Sequence, residues 1–156
     1  MLNRKKVKTG NKIKLVAIDL DGTLFNSNSK ISTTNITAIT ECINRGISVV
    51  LTTAKTIYWV KKLITSLNLK DPQIASAGAA IIDASFKPIY IRKIPFKSYA
   101  KIVSLSREYE IGLGVSCIDG FIYYEKENPY LEYIWVTGEM PRKTKNLLNK
   151  SIGVCT

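Results

Sequence analysis

"KLVAIDLDGTLFNS", residues 14–27, runs an apolar stretch, Leu15 to Ile18, into two acids, Asp19 and Asp21, and a glycine. The whole of "IKLVAID" (13–19) is a short apolar β-branched run and reads as a buried strand. In parallel α/β sheets ligands bind beyond the carboxyl ends of the strands, which is where this run places Asp19. Side chains alternate along a strand, so residue 20 points away and Asp21 points back beside Asp19. Gly22 permits a sharp departure of the chain, and Thr23 can hydrogen-bond the loop back on itself. Two chemistries suit such a pair. One carboxylate can attack phosphorus while the other serves as general acid and base. Alternatively, the pair can hold a hard cation such as Mg2+.

Outward from that stretch the pattern alternates between strand and helix. A polar loop, Asn26 to Lys30, is followed by Ser32, a suitable N-cap for a helix carrying Ile36, Ile39 and Ile43 at helical spacing. Gly46 stops that helix. "ISVVLT" (47–52) is a second buried strand. "TIYWVKKLITSLNL" (56–69) is a helix with Ile57, Val60, Ile64 and Leu67 on one face, broken at Asp71-Pro72. "QIASA" (73–77) reads as a third strand. This order implies right-handed parallel βαβ units with helices covering a doubly wound α/β sheet.

Beyond Gly78 the character changes. "AAIID" (79–83) and "PIYIRKI" (88–94) flank a turn and predict a β-hairpin. Pro95 punctuates the chain. "SYAKIVSLSREYE" (98–110) predicts a helix, and "IGLGVSCIDGFIYYEK" (111–126) two strands joined by Asp119-Gly120, a tight-turn pair. A helix followed by an antiparallel hairpin does not extend a parallel sheet, so a separate α+β module is expected from about residue 95. "KTKNLLN" predicts a short helix leading into a strand at "IGVCT", whereas "NPYLEYIWVTGEM" (128–140) fits no single element.

The chain of 156 residues carries 23 Lys and Arg against 12 Asp and Glu, a net charge of +11 that draws in anions. It contains no histidine, which excludes Ser-His triads, imidazole bases and His-ligated zinc. Cys42, Cys117 and Cys155 form no CxxC and read as thiols of a reducing compartment. No apolar stretch approaches the roughly 18 residues of a membrane span, so the expected location is cytoplasmic. Residues 1–12, with Arg4, Lys5, Lys6, Lys8 and Lys12, read as a solvated basic tail. The chain shows no RNA- or DNA-binding module beside it, so nucleic acid is not the expected partner.

A phosphoryl site needs donors and a cation facing the transferred group. The second strand ends in "LTTAK" (51–55), beside the end of the first. Thr53 can donate to a phosphate oxygen and Lys55 can meet an anionic substrate. Taken alone, Thr-Thr after a strand is as readily a helix N-cap; beside the Asp pair the phosphate reading is preferred.

"DLDGTL" resembles the first motif of the haloacid dehalogenase superfamily of phosphotransferases, and "VVLTTAK" sits where its second motif should be. "IASAGAAIID" is similar to the Cof-type sugar-phosphate phosphatases, which often carry Asn-Gly there. The T-A-K-T run and "LNLKDPQI" are similar to mannosyl-3-phosphoglycerate phosphatases. The resemblance implies a core over 13–94 and the beginning of an α+β cap over 95–156. It implies Asp19 as nucleophile and Asp21 as general acid/base. Mg2+ would be held by the Asp19 carboxylate and the Asp21 backbone carbonyl, so both residues count as metal ligands. Gly22 and Thr23 complete the motif and count with Thr53 and Lys55 as phosphate-binding residues, Thr53 binding the transferring phosphoryl group. Lys55 stands for a frequent Arg, Ala77 for the Asn of Asn-Gly and Ala54 for a usual Gly. The implied substrate is a small phosphorylated metabolite such as a sugar phosphate, hydrolysed through an aspartyl-phosphate.

The superfamily's third motif, a Lys beside the phosphorylated Asp, and its fourth, an acidic Mg2+ loop, come after the cap, and neither is found before Thr156. Asp83 and Asp119 are expected to be structural, and Lys93, Lys97 and Lys101 a solvated face. On this resemblance the chain looks truncated in the cap, with Mg2+ under-coordinated by protein. The sheet would then present an apolar edge, relieved by a homo-oligomer or a complementing chain. The alternative to an active phosphatase is a catalytically incomplete subunit that binds a phosphorylated ligand or a partner.

Overall fold

A computed structural model describes residues 12–129 and 141–150. The tail residues Arg4, Lys5, Lys6 and Lys8, most of 128–140, the strand expected at "IGVCT" and Cys155 lie outside the described residues. The first strand, β1 (Leu15–Ile18), pairs in parallel with β2 (Ser48–Leu51), Leu15 opposite Ser48 and Ile18 opposite Leu51. Between them runs helix α1 (Thr33–Asn44). Ser32 caps it, its hydroxyl accepting from the Asn35 N–H at 3.2 Å. Gly46, at φ +70°, ends it: its N–H reaches the Ile43 carbonyl, and the Ile47 N–H reaches that of Cys42. That bond pair is a Schellman termination.

Helix α2 (Ile57–Leu67) follows β2 and buries Ile57, Val60, Leu63, Ile64 and Leu67. It ends at Asn68, which turns left-handed at φ 53°, rather than at Asp71-Pro72. Asparagine tolerates that conformation, so the helix closes three residues before the predicted breaker. Strand β3 (Gln73–Ala75) then meets β2 only at a parallel bridge between Thr52 and Ile74. Along the rest of the gap, side chains serve the β2 backbone. Gln73, fully buried, accepts from the Leu51 N–H at 2.7 Å and donates to the Val49 carbonyl at 3.0 Å. Asp71 accepts from the Val49 N–H at 3.2 Å. A buried backbone group without a partner costs about as much as a lost hydrogen bond, and these two side chains prevent that.

Strands β4 (Ala80–Ile82) and β5 (Pro88–Ile91) continue the sheet antiparallel, in the order β3-β4-β5. Asp83 closes the predicted hairpin, one carboxylate oxygen accepting from Ser85 and Lys87, each at 2.9 Å. The fold is α/β, with a parallel sheet and helices of the expected order. Two burial expectations need correction. Ile36 on α1 is 41% exposed, because the helix turns Ile39 and Ile43 inward and Ile36 to its flank. More consequentially, β1 is not a buried strand, since Leu15 is 54% exposed and Ala17 is exposed as well. Helices α1 and α2 touch each other and cover the face that carries Val49 and Leu51. Among the described residues no helix covers the opposite face at Leu15.

A second hydrophobic cluster gathers Tyr99, Val103, Val115, Cys117, Tyr123 and Leu147. It is built by helix α3 (Phe96–Glu108), the hairpin β6 (Gly114–Ser116) and β7 (Ile122–Tyr124), and strand β8 (Pro141–Lys143), parallel to β7. "KTKNLLN" yields a 3-10 turn, Leu147–Lys150. Arg107 forks onto Glu125 at 2.6 and 3.0 Å, and Glu125 also accepts from the Leu147 N–H. Lys93, Lys97 and Lys101 are exposed.

Candidate active site

The site begins where β1 stops. Asp19 keeps an extended backbone, and its carbonyl accepts from the Leu24 N–H at 3.2 Å. The Phe25 N–H does the same to the Leu20 carbonyl at 2.8 Å, which winds Leu20–Leu24 into one wide turn. The turn is anchored by Leu20, fully buried, while Asp19 and Asp21 stand exposed on either side of it. The alternation expected from strand geometry therefore survives the turn. Gly22 makes it possible at φ +76°, a conformation that strains any residue with a Cβ. The Thr23 hydroxyl donates to an Asp19 carboxylate oxygen at 3.4 Å, a long bond that bends the loop back over the first acid.

β2 delivers the second set of groups. The Thr52 N–H donates to the Ile18 carbonyl at 2.9 Å, so the two strand ends are held side by side. Thr53 is 5% exposed, and its hydroxyl oxygen accepts from the Lys55 N–H at 3.1 Å. That bond uses the oxygen as acceptor and not the hydroxyl hydrogen. Lys55 curls back so that its Nζ lies 3.3 Å from an Asp21 carboxylate oxygen. With Asp21 60% exposed, this ion pair adds little stability; its effect is to aim the ammonium at the carboxylates.

Two features of this setting were not anticipated from sequence. The Lys55 ammonium sits 5.2 Å from the Trp59 ring centre and 5.9 Å from that of Phe25, within cation–π range of both. Trp59 lies in the first turn of α2 and Lys55 just ahead of its Thr56 cap, so the contact depends on how the loop enters the helix. The other feature is a left-handed run, Ser76, Ala77 and Gly78, at φ 51°, 50° and 87°. Its N–H groups bind the loop above: Ser76 donates to the Lys55 carbonyl at 2.8 Å and Ala77 to that of Thr53 at 3.0 Å. Left-handed backbone at two non-glycine residues costs energy and persists where the surroundings enforce it. Only Gly78 of the three announces such a conformation in the sequence.

Asp119 is engaged within its own turn. Its carboxylate accepts from the Phe121 N–H at 3.0 Å and from the Tyr123 hydroxyl at 2.7 Å, and that bond holds the Tyr123 phenol above its usual range. Gly120 beside it has φ +92°, and a Cβ there would lie 2.9 Å from the Tyr58 nitrogen. The β6–β7 turn thus docks on the start of α2, one turn of chain beyond Lys55. As for a cation, Asp19 and Asp21 offer hard oxygen donors of the kind Mg2+ takes, one or two carboxylates with water and substrate phosphate completing the shell. Among the described residues no group of three or more His, Cys, Asp or Glu converges.

A family model of the haloacid dehalogenase-like hydrolases matches residues 16–152. The chain belongs to this family. Among its relatives, the 5-amino-6-(5-phospho-D-ribitylamino)uracil phosphatase YcsE of Bacillus subtilis is 42% identical over 74 residues, which is 47% of this chain and 30% of that protein. A haloacid dehalogenase-like hydrolase from Bacteroides thetaiotaomicron superposes with a TM-score of 0.80 at 24% identity, over 88% of this chain and 54% of that one. The subclass IIB sugar phosphatase BT4131 superposes with a TM-score of 0.71 at 20% identity, over 89% of this chain and 56% of that one. The chain thus spans about half the length of these solved haloacid dehalogenase-like structures. Among the described residues no helix is long and apolar enough to cross a membrane.

Proposed function

We propose that the chain carries the phosphate-handling site of a Mg2+-dependent phosphomonoesterase acting on a small phosphorylated metabolite. The observation that carries this reading is the convergence of Asp19 and Asp21 from β1 with Thr53 and Lys55 from β2 at one end of a parallel sheet. In the reaction, an Asp19 oxygen bonds to phosphorus as the ester P–O bond breaks. Asp21, in its protonated form, gives its proton to the departing alkoxide. A water then attacks the aspartyl-phosphate, with Asp21 taking its proton, and inorganic phosphate leaves with Asp19 regenerated. Thr53 donates to a phosphoryl oxygen, and Lys55 turns its ammonium from Asp21 toward the added negative charge. The Asp19 carboxylate and the Asp21 backbone carbonyl are the residues that would hold Mg2+, which when bound neutralises charge on the phosphoryl oxygens.

Two relatives support a choice of substrate class. The named substrate of the Bacillus phosphatase is a phosphorylated ribityl chain on a pyrimidine, and the solved relative BT4131 is a sugar phosphatase. A polyol or sugar monophosphate is therefore the substrate we propose, with the α3–β8 lobe as the cap over its leaving group. The test is phosphate release from a panel of sugar and polyol phosphates with Mg2+, wild type beside Asp19→Asn. Release that vanishes in the variant supports the reading; no release from any ester, with the protein folded, overturns it.

A further inference from the structure

The backbone of Lys55 is pinned on both sides, its N–H on the Thr53 hydroxyl oxygen at 3.1 Å and its carbonyl under the Ser76 N–H at 2.8 Å. The side chain beyond is a flexible four-carbon stem, and holding its ammonium in one place costs rotamer entropy. The ion pair with Asp21 does not offset that cost, because Asp21 is 60% exposed and a pair of this kind adds little in water. Two aromatic rings do. The Lys55 side chain is only 12% exposed, and its ammonium lies 5.2 Å from the Trp59 ring centre and 5.9 Å from that of Phe25. Those rings meet edge to face, 6.1 Å apart at 63°, and form a corner around the cation. Cation–π attraction is strongest where the cation is desolvated. Lys62 lies 5.2 Å from the same Trp59 ring centre, but it is exposed and its contact is the weaker one.

We infer that Trp59 is a positioning residue, whose ring holds the Lys55 ammonium beside the carboxylates and ready to pass from Asp21 to the phosphoryl group of a bound ester. The inference rests on the phosphatase reading above and adds to it a residue that acts only through Lys55. The chemistry of the ring suits this role. A carboxylate in place of Trp59 would compete with the phosphoryl oxygens for the ammonium, whereas an uncharged ring retains the cation and leaves its charge available. Phe25 is buried and Trp59 packs against the same core, so the corner is fixed before any ligand arrives. The rotamer freedom of Lys55 is then lost on folding rather than on binding, which raises affinity for the ester.

Steady-state kinetics on the best ester of the sugar and polyol phosphate panel test the inference. Trp59→Leu keeps an apolar side chain against the core and removes the ring face; it should raise KM about tenfold and leave kcat within about threefold. Trp59→Phe, which restores a ring face, should stay within about threefold of wild type in both. In a Lys55→Met background Trp59→Leu should change KM less than about twofold, because the group it positions is gone. A shape-preserving series sharpens this. The chain has two tryptophans, so fluorotryptophans incorporated into Trp135→Phe replace Trp59 alone. Each added fluorine weakens the ring face, and log KM should rise steadily with fluorine number. Circular dichroism checks that every variant is folded. The two readings fail separately. Phosphate release with a KM indifferent to fluorine number, or an equal effect of Trp59→Leu with and without Lys55, overturns the positioning role and leaves the phosphatase reading standing. If no ester is turned over, calorimetric titration with inorganic phosphate and Mg2+ takes the place of KM. Wild-type binding about tenfold tighter than that of Trp59→Leu then supports the role of Trp59; equal affinity, or no binding by the wild type, overturns it.

Discussion

β1 and β2 are four-residue strands, paired over their whole length, and they end at the same site. Their surroundings could hardly differ more. β2 has β1 along one edge and the Asp71 and Gln73 side chains followed by β3 along the other, with Val49 and Leu51 sealed under two helices. Among the described residues β1 has a strand neighbour on one side and a helix layer on one face. The comparison teaches that the carboxyl end of a strand can be well organised while its flank is open. The wide turn at Leu20–Leu24 is held by its own backbone bonds and by buried Leu20 and Leu24, none of which needs the free edge.

The division of labour at the strand ends can be broken most severely from the β1 side. Asp19→Asn, which keeps shape and removes the nucleophilic charge, should lower phosphate release at least about a thousandfold, as measured by steady-state assay. The flanks are separated by one truncation made twice. Leu51→Ala should cost roughly 3 kcal/mol in a denaturant titration, since Leu51 is fully buried. Leu15→Ala should cost under about 1 kcal/mol, since Leu15 is 54% exposed. Equal costs would mean that β1 is covered after all. Gln73→Ala tests how β2 is sealed on its far side: it strands the Leu51 N–H and the Val49 carbonyl, and a loss of about 2 kcal/mol is expected in the same titration.

The smallest effect is one of pH and lies in the second lobe. The hydrogen bonds from the Arg107 guanidinium hold the Glu125 carboxyl below its ordinary value of 4.5, and the Leu147 N–H adds to this. A carboxylate depressed on folding stabilises the fold at pH above its unfolded value and loses that contribution as pH falls through the folded one. Thermal melts should therefore show stability declining as pH drops below about 4.5, with Glu125→Gln flattening that decline.

Much of this was readable in the chain before any coordinates. The helix starting after Ser32, its stop at Gly46 and the buried face of α2 follow from capping chemistry and helical period, which are local. So does the pairing of Asp19 with Asp21, because strand alternation and a glycine suffice to set it. Other features depend on contacts distant in sequence. Nothing near Asn68 ranks it above Asp71-Pro72 as the helix stop. The left-handed run at Ser76–Gly78 exists because the carbonyls of Thr53 and Lys55 are there to receive its N–H groups.

By itself the sequence determined which residues would stand at the strand ends and in what order, since hydrophobic period and turn chemistry act over a few residues. Only the tertiary structure decided that Lys55 leans on Trp59 and Phe25 beside Asp21, and that Gln73 stands in for a stretch of strand. It alone decided that, among the described residues, β1 pairs with β2 and leaves Leu15 exposed. Burial is a property of what packs against a strand, and the composition of "LVAI" is the same with a neighbour or without one.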